Sequence, residues 1–347
     1  MLHLQASLQS FQVIQGGTGS YAITNKKSDR NIIQLGSSIQ EMNVLHVTDS
    51  YFEFGSCVKL TKMEHFFKTI LPNSDQNSQT FHLANVFIKA LSSLASAQIR
   101  NVASVGGSVM WRHPSSDLMT LYILLGCRIR VQSPDGVITD VLIDETFHTS
   151  KSEEIIRNRS IILALMIPKS SDHSYIGFYK KSKRKEFALS VVNLGITCNY
   201  GQNKNESFFK DVRIVVGGTE NPGKLLTHGY HQLAVNSMKV IEGTKDVSMP
   251  CLVEAISNDL PINPEHKTMG AYRQGMAVSF IKKFLTAVIL PNPVDDGKDV
   301  LKRSSTQSYQ KVQKDQPSYD AVERPIAHVC SAEQGDLSYF LCKYQTQ

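Results

Sequence analysis

Two glycine-containing segments carry the residue types that hold anionic, hydroxyl-rich ligands. The first, Gly16-Gly17-Thr18-Gly19-Ser20, follows a short apolar run at Gln12–Gln15. Closely spaced glycines let consecutive backbone N–H groups converge on an anion, and the Thr and Ser hydroxyls add donors. The segment lacks the Gly-Lys-Ser/Thr of a Walker A loop and the GxGxxG of the dinucleotide fingerprint. Alone, it is explained by a plain glycine turn. The second segment, Ala103-Ser104-Val105-Gly106-Gly107-Ser108, adds a second close approach of backbone. Ser104 and Ser108 can donate to phosphate or ribityl oxygens, and Asp117 can accept from ribose or ribityl hydroxyls. Two such segments in one domain are what a long, pyrophosphate-containing cofactor requires. Two ordinary turns are the competing reading.

The other chemistry-bearing residues point less sharply. Lys180-Lys181-Ser182-Lys183-Arg184-Lys185 is the one charge run. It has no aromatic interleaving and no basic helix, so it reads as a solvated loop and nucleic acid is not an expected partner. Lys180 closes a strand-like run and need not share the role of its neighbours. His228 and His231 flank Gly229-Tyr230 without a third ligand nearby, and no HExxH occurs; no metal site is expected. The six cysteines, Cys57, Cys127, Cys198, Cys251, Cys330 and Cys342, are scattered without CxxC. They read as reduced thiols, and they cannot hold an iron–sulfur cluster. No general base or nucleophile stands out, so no catalytic residue is assigned.

The elements that must position these residues follow from pattern. The 347 residues carry 37 Lys+Arg against 31 Asp+Glu, a net charge of +6, with 41% hydrophobic residues. That is enough for real cores in two or three domains, and the charge is too mild to call for nucleic acid. No run approaches the ~18 apolar residues of a membrane span. The N-terminus lacks a cationic and apolar leader, so a cytoplasmic protein is expected. Strands are expected at Gln12–Gln15 and Ile32–Leu35, with a hairpin over Val44–Val47 and Tyr51–Phe54. Helices are expected at Met63–Leu71, stopped by Pro72, and at Thr80–Gln98. A short apolar helix is expected after Asp117, then a hairpin about Ser133-Pro134-Asp135-Gly136. From Ser160 come four strand runs, Ile161–Ile167, Tyr175–Tyr179, Val191–Cys198 and Val212–Val216. Helices at His231–Ile241, Cys251–Asn258 and Thr268–Leu290 close the folded part. Strands grouped together and helices grouped together argue α+β rather than a doubly wound sheet. A domain boundary falls near Lys169–His173, and from Pro291 the chain turns polar and proline-punctuated, as a linker or tail does.

The stretch Gln98-Ile99-Arg100-Asn101-Val102-Ala103-Ser104-Val105-Gly106-Gly107, followed by Arg112-His113-Pro114-Ser115-Ser116-Asp117-Leu118, resembles the FAD-binding domain of the molybdenum hydroxylases. Within them it looks closer to aldehyde oxidase than to xanthine dehydrogenase. The resemblance runs from about Gln12 to Leu290, and Arg324–His328 resembles the family's entry into the molybdenum domain. It implies an α+β FAD-binding (PCMH-like) two-subdomain fold over 1–170. A small antiparallel sheet-plus-helices domain over 171–290 then resembles the C-terminal domain of the CO-dehydrogenase flavoprotein. Residues 291–347 would be a linker and the start of a truncated junction. By position, Val13, Ile14, Gln15, Gly16, Gly17, Thr18, Gly19 and Ser20 match the first flavin-contacting strand and loop. Leu94 and Ala95 match the helix end beside the isoalloxazine, where dehydrogenases tend to have Phe. Ser104, Ser108 and Asp117 match the pyrophosphate and ribityl positions, Ile162 the usual Leu, and Lys180 the basic position near the flavin. A cation there would stabilise negative charge on reduced flavin.

Departures are visible. Gly17 stands where Asn is common, and Met119-Thr120 where Asn-Pro is usual. The 181–188 loop lacks the acidic pair of NAD-using relatives and points to oxygen as final acceptor. The resemblance therefore implies an FAD-holding, electron-transferring part of an aldehyde-oxidase-like enzyme. Fe–S clusters and molybdopterin would sit on domains or subunits absent from this chain, with a homodimer left open. This chain alone would not hydroxylate a substrate. The rival expectation is a truncated, non-catalytic module that binds FAD weakly or not at all and associates with full-length relatives.

Overall fold

The computed structural model describes residues 11–19, 31–36, 39–74, 78–111, 113–169, 175–184, 187–203, 206–218, 231–261 and 269–289. Ser20, Arg112, His228, Lys185, Cys330, Cys342, the 170–173 connection and everything from 290 onward, including Arg324–His328, lie outside the described residues.

Three sheets organise them. Strands β1 (Phe11–Ile14) and β2 (Asn31–Gln34) form a parallel pair. Beneath it, Leu35, Met42, Cys57 and Ile161 make a small core, joined by Val13 and Ile33. The second sheet is antiparallel, in the order β3-β4-β7-β5-β6. It comprises β3 (Leu45–Val47), β4 (Tyr51–Gly55), β5 (Arg128–Gln132), β6 (Ile138–Leu142) and β7 (Ile161–Pro168). Alternation along β4 sends Phe52 and Phe54 inward, against Phe66 and Phe67 of α1 (Leu60–Ile70). Phe67 in turn stacks on Phe87 of α2 (Gln79–Ser93) at 4.8 Å. The third sheet is antiparallel in the order β11-β10-β9-β8. Its strands are β8 (Tyr175–Ser182), β9 (Ser190–Asn203), β10 (Glu206–Gly217) and β11 (His231–Leu233).

Two departures from the sequence pattern bear on the site. The apolar stripe from Thr80 predicts one helix to Gln98, but α2 stops at Ser93. Leu94 is extended, Ala95 adopts φ +47°, and Ser96 caps a new helix, α3 (Ala97–Val102), by accepting from Ile99 N. The second glycine segment is not an open loop. It forms α4 (Val105–Met110), capped by Ser104. Next, α5 (Asp117–Leu124) is buried at every position. Such a helix needs neighbours all round. It has them because it lies against the third sheet as well as its own core: a Cβ on Gly195 of β9 would sit 2.9 Å from Leu124. After α6 (Ser152–Arg157), three helices cover the third sheet: α7 (Val235–Ile241), α8 (Met249–Asp259) and α9 (Gly270–Ile289). Their Ile241, Leu252, Ile256, Ile281 and Phe284 meet Leu194, Ile196 and Ile214 of the sheet. The fold is α+β, with antiparallel sheets and helices.

Candidate functional site: two apposed glycine segments

The two glycine segments, some ninety residues apart, are packed against one another. A Cβ on Gly16 would lie 2.1 Å from the carbonyl oxygen of Val102, at the end of α3. A Cβ on Gly19 would lie 3.1 Å from the Trp111 ring, just beyond α4. Only glycine permits the first of these approaches, since the obstacle is backbone. Gly17 turns the loop at φ +66°, and Gly17 and Thr18 are exposed at its tip.

The α4 segment is held from below. Gly106 N donates to Ser56 O (2.8 Å) and Val105 N to Val58 O (2.9 Å). Ser56 N in turn donates to Leu163 O (2.8 Å), and Leu163 is the extra residue of a bulge in β7 opposite Arg130 and Val131. Bulges re-aim groups beside sites in this way. Gly107 N donates to Ser104 Oγ (3.1 Å). Ser108 Oγ donates to Val105 O (2.7 Å) and pairs with Tyr122 Oη at 3.1 Å. The first N–H groups of α4 are therefore taken by the protein itself, and Ser108 is tied inward.

At the other end of α3, about 9 Å away for six helical residues, lies the Leu94-Ala95 corner. It is clamped from two sides. Arg100 Nη1 donates to Leu94 O (2.7 Å), and Lys180 Nζ donates to Ser93 O (2.9 Å). Lys180 Nζ also meets Asp117 Oδ2 at 2.5 Å, both side chains being less than a tenth exposed. Asp117 Oδ1 accepts from Asn193 Nδ2 (3.1 Å) and from the Ser190 hydroxyl. Thr120 donates to Asn193 Oδ1, and His231 Nε2–H donates to Ser116 O at 2.8 Å. Complete burial depresses His231 to about 4, so its imidazole is neutral.

The structure thus places the residues singled out from sequence in three groups. Gly16 meets the end of α3 and Gly19 meets Trp111, while Gly17 and Thr18 are exposed at the loop tip. Val13 joins the small core, Ile14 pairs with Gln34, and Gln15 buries its side-chain oxygen, while Ser20 lies outside the described residues. Ser104 and Ser108 cap and pin α4, and Leu94 and Ala95 form the strained corner. Asp117 and Lys180 bind each other rather than facing outward. Ile162 packs in the main core at 8% exposure. His231, read from its spacing as half of a loop pair, instead opens β11 in full burial. Sequence reasoning missed Ser190, Asn193 and Trp111. Asn193 leaves a trace, a lone amide inside the apolar run Val191–Thr197.

Around the glycine segments, Gln15 Oε1 and Trp111 Nε1 are buried without a hydrogen-bond partner. Buried polar atoms are normally paired. Orphans clustered at two glycine segments fit a polar ligand seated there. No group of three metal-ligating side chains occurs among the described residues.

The α+β fold brings two glycine segments together beside a clamped corner, the arrangement expected of a domain that holds a pyrophosphate-containing cofactor. Comparison with known proteins points the same way. Residues 1–170 match the family model described as the FAD binding domain in molybdopterin dehydrogenase. The chain is 26% identical over 322 residues to xanthine dehydrogenase/oxidase of Gallus gallus, covering 85% of this chain and 22% of that protein. It is 25% identical over 323 residues to aldehyde oxidase 1 of Bos taurus, covering 88% and 23%. Among solved structures, carbon monoxide dehydrogenase from Hydrogenophaga pseudoflava matches with a TM-score of 0.63 at 16% identity, over 82% of this chain and 92% of that one. Quinoline 2-oxidoreductase from Pseudomonas putida 86 matches at 0.64 and 14%, over 83% and 94%. Over residues 1–170 this chain is similar to the FAD-binding domain of the molybdenum hydroxylases, and over most of its length to the matching part of xanthine dehydrogenase and aldehyde oxidase. It spans less than a quarter of the length of these curated relatives.

Proposed function

We propose that this chain is the flavin-holding, electron-transferring part of an aldehyde-oxidase-like molybdo-flavoenzyme. The observation that carries the reading is the apposition of the two glycine segments, with unpartnered polar atoms at their junction. FAD supplies an isoalloxazine that accepts and releases electrons, chemistry no side chain here provides. The Gly16–Gly19 loop with Ser104 would hold its pyrophosphate region, and Leu94-Ala95 would border the ring. Lys180 and Asp117 act behind that corner: the ammonium fixes the end of α2, and the carboxylate holds the ammonium. In this reading electrons arrive from Fe–S clusters on other domains or subunits, molybdopterin lies elsewhere, and oxygen is the acceptor. The 181–188 loop, without an acidic pair, supports oxygen over NAD. The domain division at about residue 170 is part of the same reading, supported by the end of the family match.

A second reading is favoured by α4. Its leading N–H groups and Ser108 are satisfied internally, which leaves fewer donors for a pyrophosphate. That suits a non-catalytic module with weak flavin affinity that associates with full-length relatives. The two separate on one measurement. Protein incubated with FAD and passed through gel filtration carries stoichiometric flavin under the first reading. A colourless protein that takes up no added FAD overturns it and supports the second. If flavin is held, rapid mixing of the reduced protein with oxygen or NAD identifies the acceptor.

A further inference from the structure

We propose that Lys89 and Lys283 form an anion site over the Tyr179 ring, and that the site takes a doubly charged oxyanion of the phosphate class. The inference stands apart from the flavin reading, in which neither lysine takes part. Three elements meet at this ring: α2, β8 and α9. On β8, Tyr175, Gly177 and Tyr179 share a face. Gly177 lets α9 close on that face, since a Cβ there would lie 2.6 Å from the Phe284 ring. One helical turn earlier, Phe280 stacks along Tyr179 at 5.3 Å and 17°, which fixes the tyrosine ring between strand and helix. Lys89 Nζ, from α2, lies over that ring at 4.9 Å from its centroid. Lys283 Nζ, from α9, lies over it at 6.0 Å.

A single ammonium over a tyrosine is a favourable cation–π contact. A second one beside it is not, because the two repel. Lys89 accordingly sits below the ordinary lysine value, first through the protein packed about it and then through Lys283. The usual remedy, a carboxylate between the two, is missing. α2, β8 and α9 carry no Asp or Glu along their whole length. Neither lysine has an acidic partner among the described residues. The adjacent Lys180 differs in this respect, since Asp117 and Ser93 O consume its ammonium. Lys89 and Lys283 are both exposed, so an anion can reach them from solvent. Lysine ammonium groups hold phosphate as point charges. An oxyanion with two charges answers both cations at once, whereas a monovalent ion leaves half of their charge unmet.

The test uses the full chain and inorganic phosphate, with sodium chloride at equal ionic strength as the reference. In the wild type, phosphate should protect Lys89 and Lys283 from acetylation by an amine reagent, read by peptide mass spectrometry, and chloride should not. By calorimetry, phosphate affinity should fall about tenfold in Lys89→Gln and in Lys283→Gln, the loss of one charged hydrogen bond. Lys282→Gln removes the same charge from the neighbouring exposed position and should leave the affinity unchanged. Glycerol 3-phosphate separates the two sources of such a group: tighter binding than inorganic phosphate identifies a phosphate ester as the ligand, and weaker binding the free ion. Equal weakening in Lys282→Gln, or equal protection by chloride, would overturn the site, because diffuse surface charge would then account for it. Phosphate that binds while leaving both lysines unprotected would also overturn it, and would place the anion at the glycine segments instead. The labelling needs no variant, so it decides the matter even where a substitution impairs folding.

Discussion

Lys180 and Asp117 offer a direct energetic test of what holds the Leu94-Ala95 corner. Lys180→Met removes an ammonium that is 8% exposed from a carboxylate that is 6% exposed. The carboxylate keeps Ser190 and Asn193 as donors but loses its countercharge, and Ser93 O loses its donor. Breaking a buried pair from one side costs about 3–5 kcal/mol, because the remaining charge stays out of water. At the size of the folded unit that is a fall of roughly 10 °C in melting temperature. Asp117→Asn leaves the complementary fault, a buried ammonium with only neutral acceptors, and should cost a similar amount. The double variant Lys180→Met/Asp117→Asn removes both charges, so neither is left uncompensated. Its cost should fall short of the summed single costs by about 2 kcal/mol or more, as residues in one network show. Urea melts followed by circular dichroism would give all four stabilities. A Lys180→Met cost below about 1 kcal/mol, the range of solvated pairs, would refute the reasoning, and so would strict additivity.

Three further outcomes follow from the same geometry. In flavin-loaded protein, Lys180→Met should lower the flavin reduction potential, since a cation is removed and an anion is left unpaired nearby; an unchanged potential by spectroelectrochemistry would remove Lys180 from any electrostatic role. His231 is neutral when folded, at about 4 against an ordinary 6.5. The unfolded chain therefore binds the extra proton between those values, and stability that is complete above pH 6.5 is lost as pH falls towards 4, by about 3 kcal/mol in all. His231→Gln, which retains a donor for Ser116 O, should flatten that part of the stability–pH curve, and a curve of unaltered slope would exclude the assignment. Gly16→Ala would drive a Cβ to 2.1 Å from Val102 O, so the loop must lift from α3. FAD affinity measured by fluorescence titration should fall at least tenfold, and an unaffected titration would show that the apposition of the two segments does not form the binding surface.

How far the fold and site were legible depends on the range of each interaction. The strands alternate or run apolar within a few residues, and the hairpins carry their own turns at Asp49-Ser50 and Ser133–Gly136, so each element announces itself locally. The break in the second helix does not. Nothing in Thr80–Gln98 forbids continuation, because the apolar stripe passes through Leu94. At the break a local pair, Ser96 capping the next helix and Arg100 on Leu94 O, combines with a distant one, Lys180 of the third sheet on Ser93 O. Ala95 holds φ +47° directly after the two carbonyls that those cations bind. Asp117 shows the same limit. Its type and place suggested a ligand for hydroxyls, whereas its donors Lys180, Ser190 and Asn193 lie more than sixty residues away and consume its lone pairs. A single carboxylate in sequence cannot say which of its partners will arrive. The residues nearest the proposed flavin corner were found by resemblance. The physical reason they sit there, a nearby Arg100 and a long-range Lys180 closing on the end of one helix, required the fold.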